Sequence, residues 1–120
     1  MHRPFLPFAL VCLVSACTTP ATSDRADEWR AILAREAPIG SPAVSVEQAL
    51  ARRGIAASRG TYVTVGDDGV TRSNCPDPKA AVTGAETEGR IGFNSNVIEI
   101  TACLDKDGRV LSHHVGVWIQ

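Results

Sequence analysis

No stretch of this chain stays apolar for the roughly eighteen or more residues that a membrane-spanning helix requires, and no block of like charge occurs. Twelve Lys plus Arg stand against thirteen Asp plus Glu, a formal net charge of -1, so the broad basic surface that neutralises phosphates is missing and nucleic acid is not expected as a partner. There is no Gly-x-Ser-x-Gly, and the glycines around residues 90–93 lack the strand, cradle and helix of a phosphate loop. Cys-x-x-Cys spacing is also absent, which removes the usual redox and zinc patterns. At 120 residues the chain is one domain, and 44% hydrophobic against 21% charged residues describes a folding sequence rather than a disordered or polytopic one.

What is present begins with MHRPFLPFALVCLVSAC, where Arg3 forms a short positive region and residues 5–16 an apolar one. About twelve residues at 1.5 Å rise span roughly 18 Å, well short of a ~30 Å hydrocarbon core, so the segment reads as a cleaved export signal. Val14, Ser15, Ala16 and Cys17 resemble the lipobox of bacterial lipoproteins. Cys12 follows the β-branched Val11, where that pattern has Gly, Ala or Ser, and is expected to leave with the signal. The resemblance implies a diacylglyceryl thioether and an added acyl group on Cys17, which together anchor far more firmly than one chain. Thr18 stands where Asp marks inner-membrane retention, which implies an outer-membrane, periplasm-facing location. The competing reading is an ordinary secretory signal cut after Ala16. Residues 1–16 are thus expected as signal peptide, 17–23 as lipidated cysteine and short tether, and 24–120 as a single α+β domain.

From Asp24 the spacing of Trp29, Ile32, Leu33 and Ala37 predicts a helix ended by Pro38. Ser45, with Gln48 three residues on, predicts the start of a second helix, and Gly54 followed by Ile55 its Schellman stop. Residues 61–65 have strand composition, residues 71–89 read as a long loop, and residues 97–104 and 109–119 flank a four-residue turn. Setting Leu104 against Arg109 places Glu99 opposite His114, Cys103 opposite Val110 and Ala102 opposite Leu111. The fold class expected is α+β, two N-terminal helices packed on a three-stranded antiparallel sheet in two layers.

With Cys17 committed to lipid, Cys75 and Cys103 remain as a pair in an oxidising compartment and are expected to form a disulfide. His113 and His114 point to opposite faces of a strand and do not converge on one ion; His113 suits a hydrogen-bonded core site and His114 a cross-strand contact. Asp105, Lys106, Asp107 and Gly108 open like a calcium loop but lack its later oxygen ligands, so a tight turn suffices. No metal, cofactor or catalytic residue is expected. A small hydrolase would need His114, Glu99 and Ser112 or Thr101 to converge. Candidate partner-binding residues are Tyr62, Val97, Glu99, His114 and Trp118, on strands beside the cysteine-held loop.

A lipobox, a tether, two helices around IGSPAVSVEQALARRGI and a β-meander resemble the small BamE/SmpA-like and β-lactamase-inhibitor-like outer-membrane lipoproteins, with Gly40, Ser41, Ser45 and Gly54 as the local similarity. The long loop and the cysteine pair depart from the assembly-factor version. The resemblance implies a non-enzymatic anchored module that binds an envelope protein or component. The alternative is a periplasmic inhibitor of an incoming enzyme such as a lysozyme, acting through a protruding loop within residues 74–90.

Overall fold

The computed structural model describes residues 20–61, 63–69, 71–91 and 94–119. Two helices, α1 (Pro20–Glu36) and α2 (Ala43–Ala51), precede β1 (Ser58–Arg59), β2 (Val63–Val65), β3 (Thr71–Ser73), β4 (Ala81–Ile91), β5 (Asn94–Leu104) and β6 (Val110–Ile119). Strands β1, β4, β5 and β6 form one antiparallel sheet in that spatial order, and β2 pairs only with β3. The α+β class with two helices on an antiparallel sheet therefore stands, while the sheet has four strands rather than three. Residues 63–65 are not in it: the turn at Gly66 to Gly69 folds them back on β3 as a separate hairpin.

In α1 the buried residues Thr22, Ala26, Trp29, Ile32 and Leu33 recur every three or four positions and make one stripe. The helix starts four residues before the expected Asp24. Proline is well suited to a first turn, where its missing N–H has no acceptor to lose, and Asn96 Nδ2 donates to Thr22 Oγ1 at 3.1 Å, tying that turn to β5. Helix α1 thus takes in residues 20–23, expected as part of the tether. None of the described helices is long and apolar enough to cross a membrane.

Helix α2 starts at Ala43 rather than after Ser45, and its cap is made by the backbone of a neighbouring hairpin. Gly40 N–H donates to Val110 O at 2.8 Å, Val110 N–H to Ser41 O at 2.8 Å, and Ala43 N–H to Gly108 O at 3.1 Å. An orphan donor of the first turn is thus satisfied by the β5–β6 turn, and a side-chain cap is not needed. At the other end Gly54 (φ 76) donates to Ala51 O and Ile55 to Leu50 O, both at 3.0 Å, which is the Schellman closure the Gly-Ile pair predicts.

Residues 81–91, of which 81–89 are expected as loop, form an eleven-residue strand. Its core-facing positions are Val82, Gly84 and Glu86, an apolar residue followed by two that disguise a buried face. Gly84 is required because a Cβ there would lie 2.9 Å from Leu50 Cδ2 and 3.0 Å from Ile55 Cγ2, where α2 crosses the sheet. Glu86 is tolerated because Arg25 donates to both its oxygens, at 2.7 and 2.9 Å, and Trp29 Nε1 donates at 3.3 Å. Trp29 is fully buried, with the guanidinium groups of Arg25 and Arg53 at 5.5 and 5.6 Å from its ring centre. At about 25 cal/mol per Å² over 150–250 Å², its burial contributes roughly 4–6 kcal/mol before entropy is counted.

The β5–β6 pairing also differs from the expected register. Asp105 N–H bonds to Arg109 O at 2.8 Å, leaving a three-residue loop whose last residue, Gly108, is left-handed (φ 77). Leu104 then faces Val110, and a bulge follows, so that Cys103 faces Ser112, Thr101 faces His114 and Glu99 faces Gly116. The bulge exchanges two side chains: Val110, expected on the outer face, is buried in the core, and Leu111, expected inside, is 44% exposed. Beyond it the expected alternation of faces returns, displaced along the strand by two residues.

Candidate functional site

Among the described residues the four-stranded sheet has two stretches without a further strand, all of β6 on one side and residues 84–91 of β4 on the other, where β1 pairs only with Val82 and Thr83. Strand β1, at the far side, has two residues; β6 has ten and pairs with β5 alone, apart from the contacts of Val110 with residues 40 and 41. Arg30 Nη2 donates to Val115 O at 3.0 Å from outside the sheet, so the backbone of Val115 points away from β5. By strand alternation, His113 and Val117 point their N–H and C=O outward as well. Val117 is 42% and Trp118 41% exposed on either side of this edge.

Beside the edge lies an open cleft of about 430 Å³ lined by Arg30, Asn74, Glu99 and residues 113–116 of β6. Glu99 and Gly116 are cross-strand partners, and Gly116 leaves the space over itself empty. Burial pushes the Glu99 carboxyl above its usual range, and a hydrogen bond from the Trp118 indole pulls partly against that shift. Among the described residues no cation forms an ion pair with Glu99; Arg30 is held by Asp27 at 2.6 Å.

The expected site residues divide clearly. Glu99, His114 and Trp118 do come together, with His114 opposite Thr101 rather than Glu99. Val97 faces Trp118 but is only 5% exposed, so it supports the indole instead of meeting a partner; this corrects its placement on an open face. Tyr62 and Cys17 lie outside the described residues. Cys75 and Cys103 form a disulfide with Cα atoms 5.3 Å apart, pinning residues 74–80 against the buried Ala81. His113 Nε2 donates to Ala37 O at 2.7 Å, the hydrogen-bonded helix-side role expected of it.

Other chemistry finds less support in the geometry. Ser112 Oγ and His114 Nε2 share a hydrogen bond at 3.2 Å, but the Glu99 carboxylate is engaged by Trp118 and does not complete a triad. Asp105 accepts from the N–H groups of Asp107 at 2.8 Å and Arg109 at 2.9 Å; these bonds lower its pKa and commit the carboxylate to the turn. Sequence reasoning missed Arg30, Asn74 and Gly116 as lining residues. Arg30 reaches the cleft from α1 and Asn74 from the disulfide loop, so neither is near the strand in sequence. Gly116 could have been found as a lone glycine inside a strand, a known mark of close approach.

No family model, curated protein or solved structure matches the chain.

Proposed function

We propose that this chain is a non-enzymatic envelope lipoprotein, anchored through lipid on Cys17 to the outer membrane and facing the periplasm, that acts as a binding module for an envelope protein. The observation that carries the reading is the unpaired β6 edge with exposed Val117 and Trp118 beside a polar cleft, on a domain whose first helix begins three residues after the lipobox cysteine. The anchor follows from the likeness of Val14, Ser15, Ala16 and Cys17 to a lipobox, and the short spacing keeps the domain against the bilayer. The kinship with BamE/SmpA-like and β-lactamase-inhibitor-like lipoproteins belongs to this proposal and rests on element order. A loop-inserting inhibitor draws less support, because residues 81–90 of its expected loop belong to strand β4 and residues 74–80 are held down by the disulfide.

The test is crosslinking in intact envelopes, comparing the parent chain with Cys17→Ala. The reading expects one protein crosslinked in near-equal amount to the anchored chain and lost with the variant. The same material recovered from both chains would contradict it.

A further inference from the structure

We propose that β6 is a docking edge to which an extended segment of a partner protein adds as a further strand, carrying a Lys or Arg side chain across Gly116 onto the Glu99 carboxylate. This deepens the binding-module reading, on which it rests, by naming the chemistry of the partner.

The backbone states the first requirement. Outward-facing N–H and C=O groups at His113, Val115 and Val117 are satisfied in pairs only by another extended chain. Proteins blunt such edges with Lys, Pro, inward charge or a short strand, and residues 110–119 contain no Lys, Arg, Asp, Glu or Pro. What protection exists is partial. Residues 40 and 41 cover Val110, and Arg30 covers the single carbonyl of Val115; its guanidinium keeps Asp27 if a strand takes that carbonyl.

The side chains state the second. On the outer face of the sheet an added residue opposite Gly116 continues the row Glu99–Gly116, two strand spacings or about 10 Å from Glu99 in Cα position. Gly116 has no side chain and a Cβ there would meet nothing within 4 Å, so a long basic side chain can lie flat across it with its charge at the carboxylate, which the Trp118 indole also reaches. Trp118, next along the same face, offers its exposed ring to the aliphatic stem. Glu99 is the half-buried carboxylate in this cleft, and among the described residues it has no cationic partner. An acidic residue in the added strand would instead meet like charge in a partly desolvated place.

The experiment uses the full chain extracted in detergent with its anchor, and a blocked nine-residue peptide of alternating Thr and Val with a central Lys. Two controls are the same peptide with central Glu and one N-methylated on alternate amides. Amide hydrogen exchange and affinity are both read. The Lys peptide should slow exchange at His113, Val115 and Val117 and bind about tenfold more tightly than the Glu peptide. The N-methylated peptide should not bind. Gly116→Val, whose added Cβ meets nothing within 4 Å, and Glu99→Gln should keep the slowed exchange yet bring the Lys and Glu peptides to within about twofold of each other. Absence of protection at about 1 mM of any peptide, or equal affinity of Lys and Glu peptides for the parent chain, overturns the proposal. Peptide failure alongside Cys17-dependent crosslinking would reject the edge and leave the module. Peptide binding without such crosslinking would reject the module reading and leave the edge.

Discussion

Reducing the Cys75–Cys103 disulfide should cost this domain a large share of its stability. The bond joins residues 28 apart in sequence. Chain-entropy reasoning for a loop of that length gives about 12 cal/mol/K, or about 3.6 kcal/mol at 25 °C, against a typical total of roughly 5–15 kcal/mol. In a domain of this size each kcal/mol moves Tm by about 4–8 °C, so loss of the bond should lower Tm by roughly 15–30 °C. Circular dichroism melts of the oxidised chain, the reduced chain and Cys75→Ala/Cys103→Ala would measure it. Losses should be felt first where the loop is stitched down, at Thr61 N–H on Pro78 O and Gly60 N–H on Ala81 O, both 2.9 Å, and Leu104 N–H on Ala80 O at 2.8 Å. Hydrogen exchange at those amides should accelerate before that of the core. If all three samples melt within about 5 °C of one another, the loop is held by packing and the entropic argument is wrong.

Three further outcomes follow from the packing and the charges. Gly84→Ala should destabilise by about 1–3 kcal/mol in urea titration, because Leu50, fully buried, must move from 2.9 Å; an unchanged midpoint would mean α2 does not press on β4 as described. Glu36, hydrogen-bonded and attracted by Arg53 and Arg52, has its carboxyl pulled down from 4.5 to about 2. A depressed carboxyl stabilises the fold above its unfolded value and loses that contribution on acidification, so stability should fall between about pH 4.5 and 2, and Glu36→Gln should flatten the fall. Glu99 is shifted the other way by burial, so its ionisation opposes folding as pH rises; Glu99→Gln should raise Tm at pH 7, with the gain fading as pH drops toward the ordinary carboxyl value of 4.5. A variant that gains nothing at pH 7 would show that Glu99 is better solvated than its cleft implies.

The parts of this fold legible in the sequence are those settled by local chemistry. Gly54 and Ile55 mark the end of α2 because a left-handed residue followed by an apolar one is a local requirement, and the Asp105 to Gly108 turn is legible for the same reason. The parts that escaped are those decided by distant partners. The start of α2 lies two residues before Ser45 because Gly108 supplies the acceptor, and α1 reaches back to Pro20 because Asn96 holds Thr22. Strand β4 is hidden because its core face reads Val82, Gly84, Glu86, which only the approach of Leu50 and the charge of Arg25 make sensible. The bulge that buries Val110 and exposes Leu111 leaves no local mark. At the site, Glu99, His114 and Trp118 could be found by strand alternation, whereas Arg30 and Asn74 arrive from other elements.

The most direct test of the account is the intact mass of the full chain isolated from membranes of bacteria made to express it. The account predicts a mature chain that begins at Cys17, carries the mass of a diacylglyceryl group and an added acyl chain, and becomes unlipidated in Cys17→Ala. A chain that keeps residues 1–16, or that begins at Cys17 with no lipid mass, would contradict the anchored module.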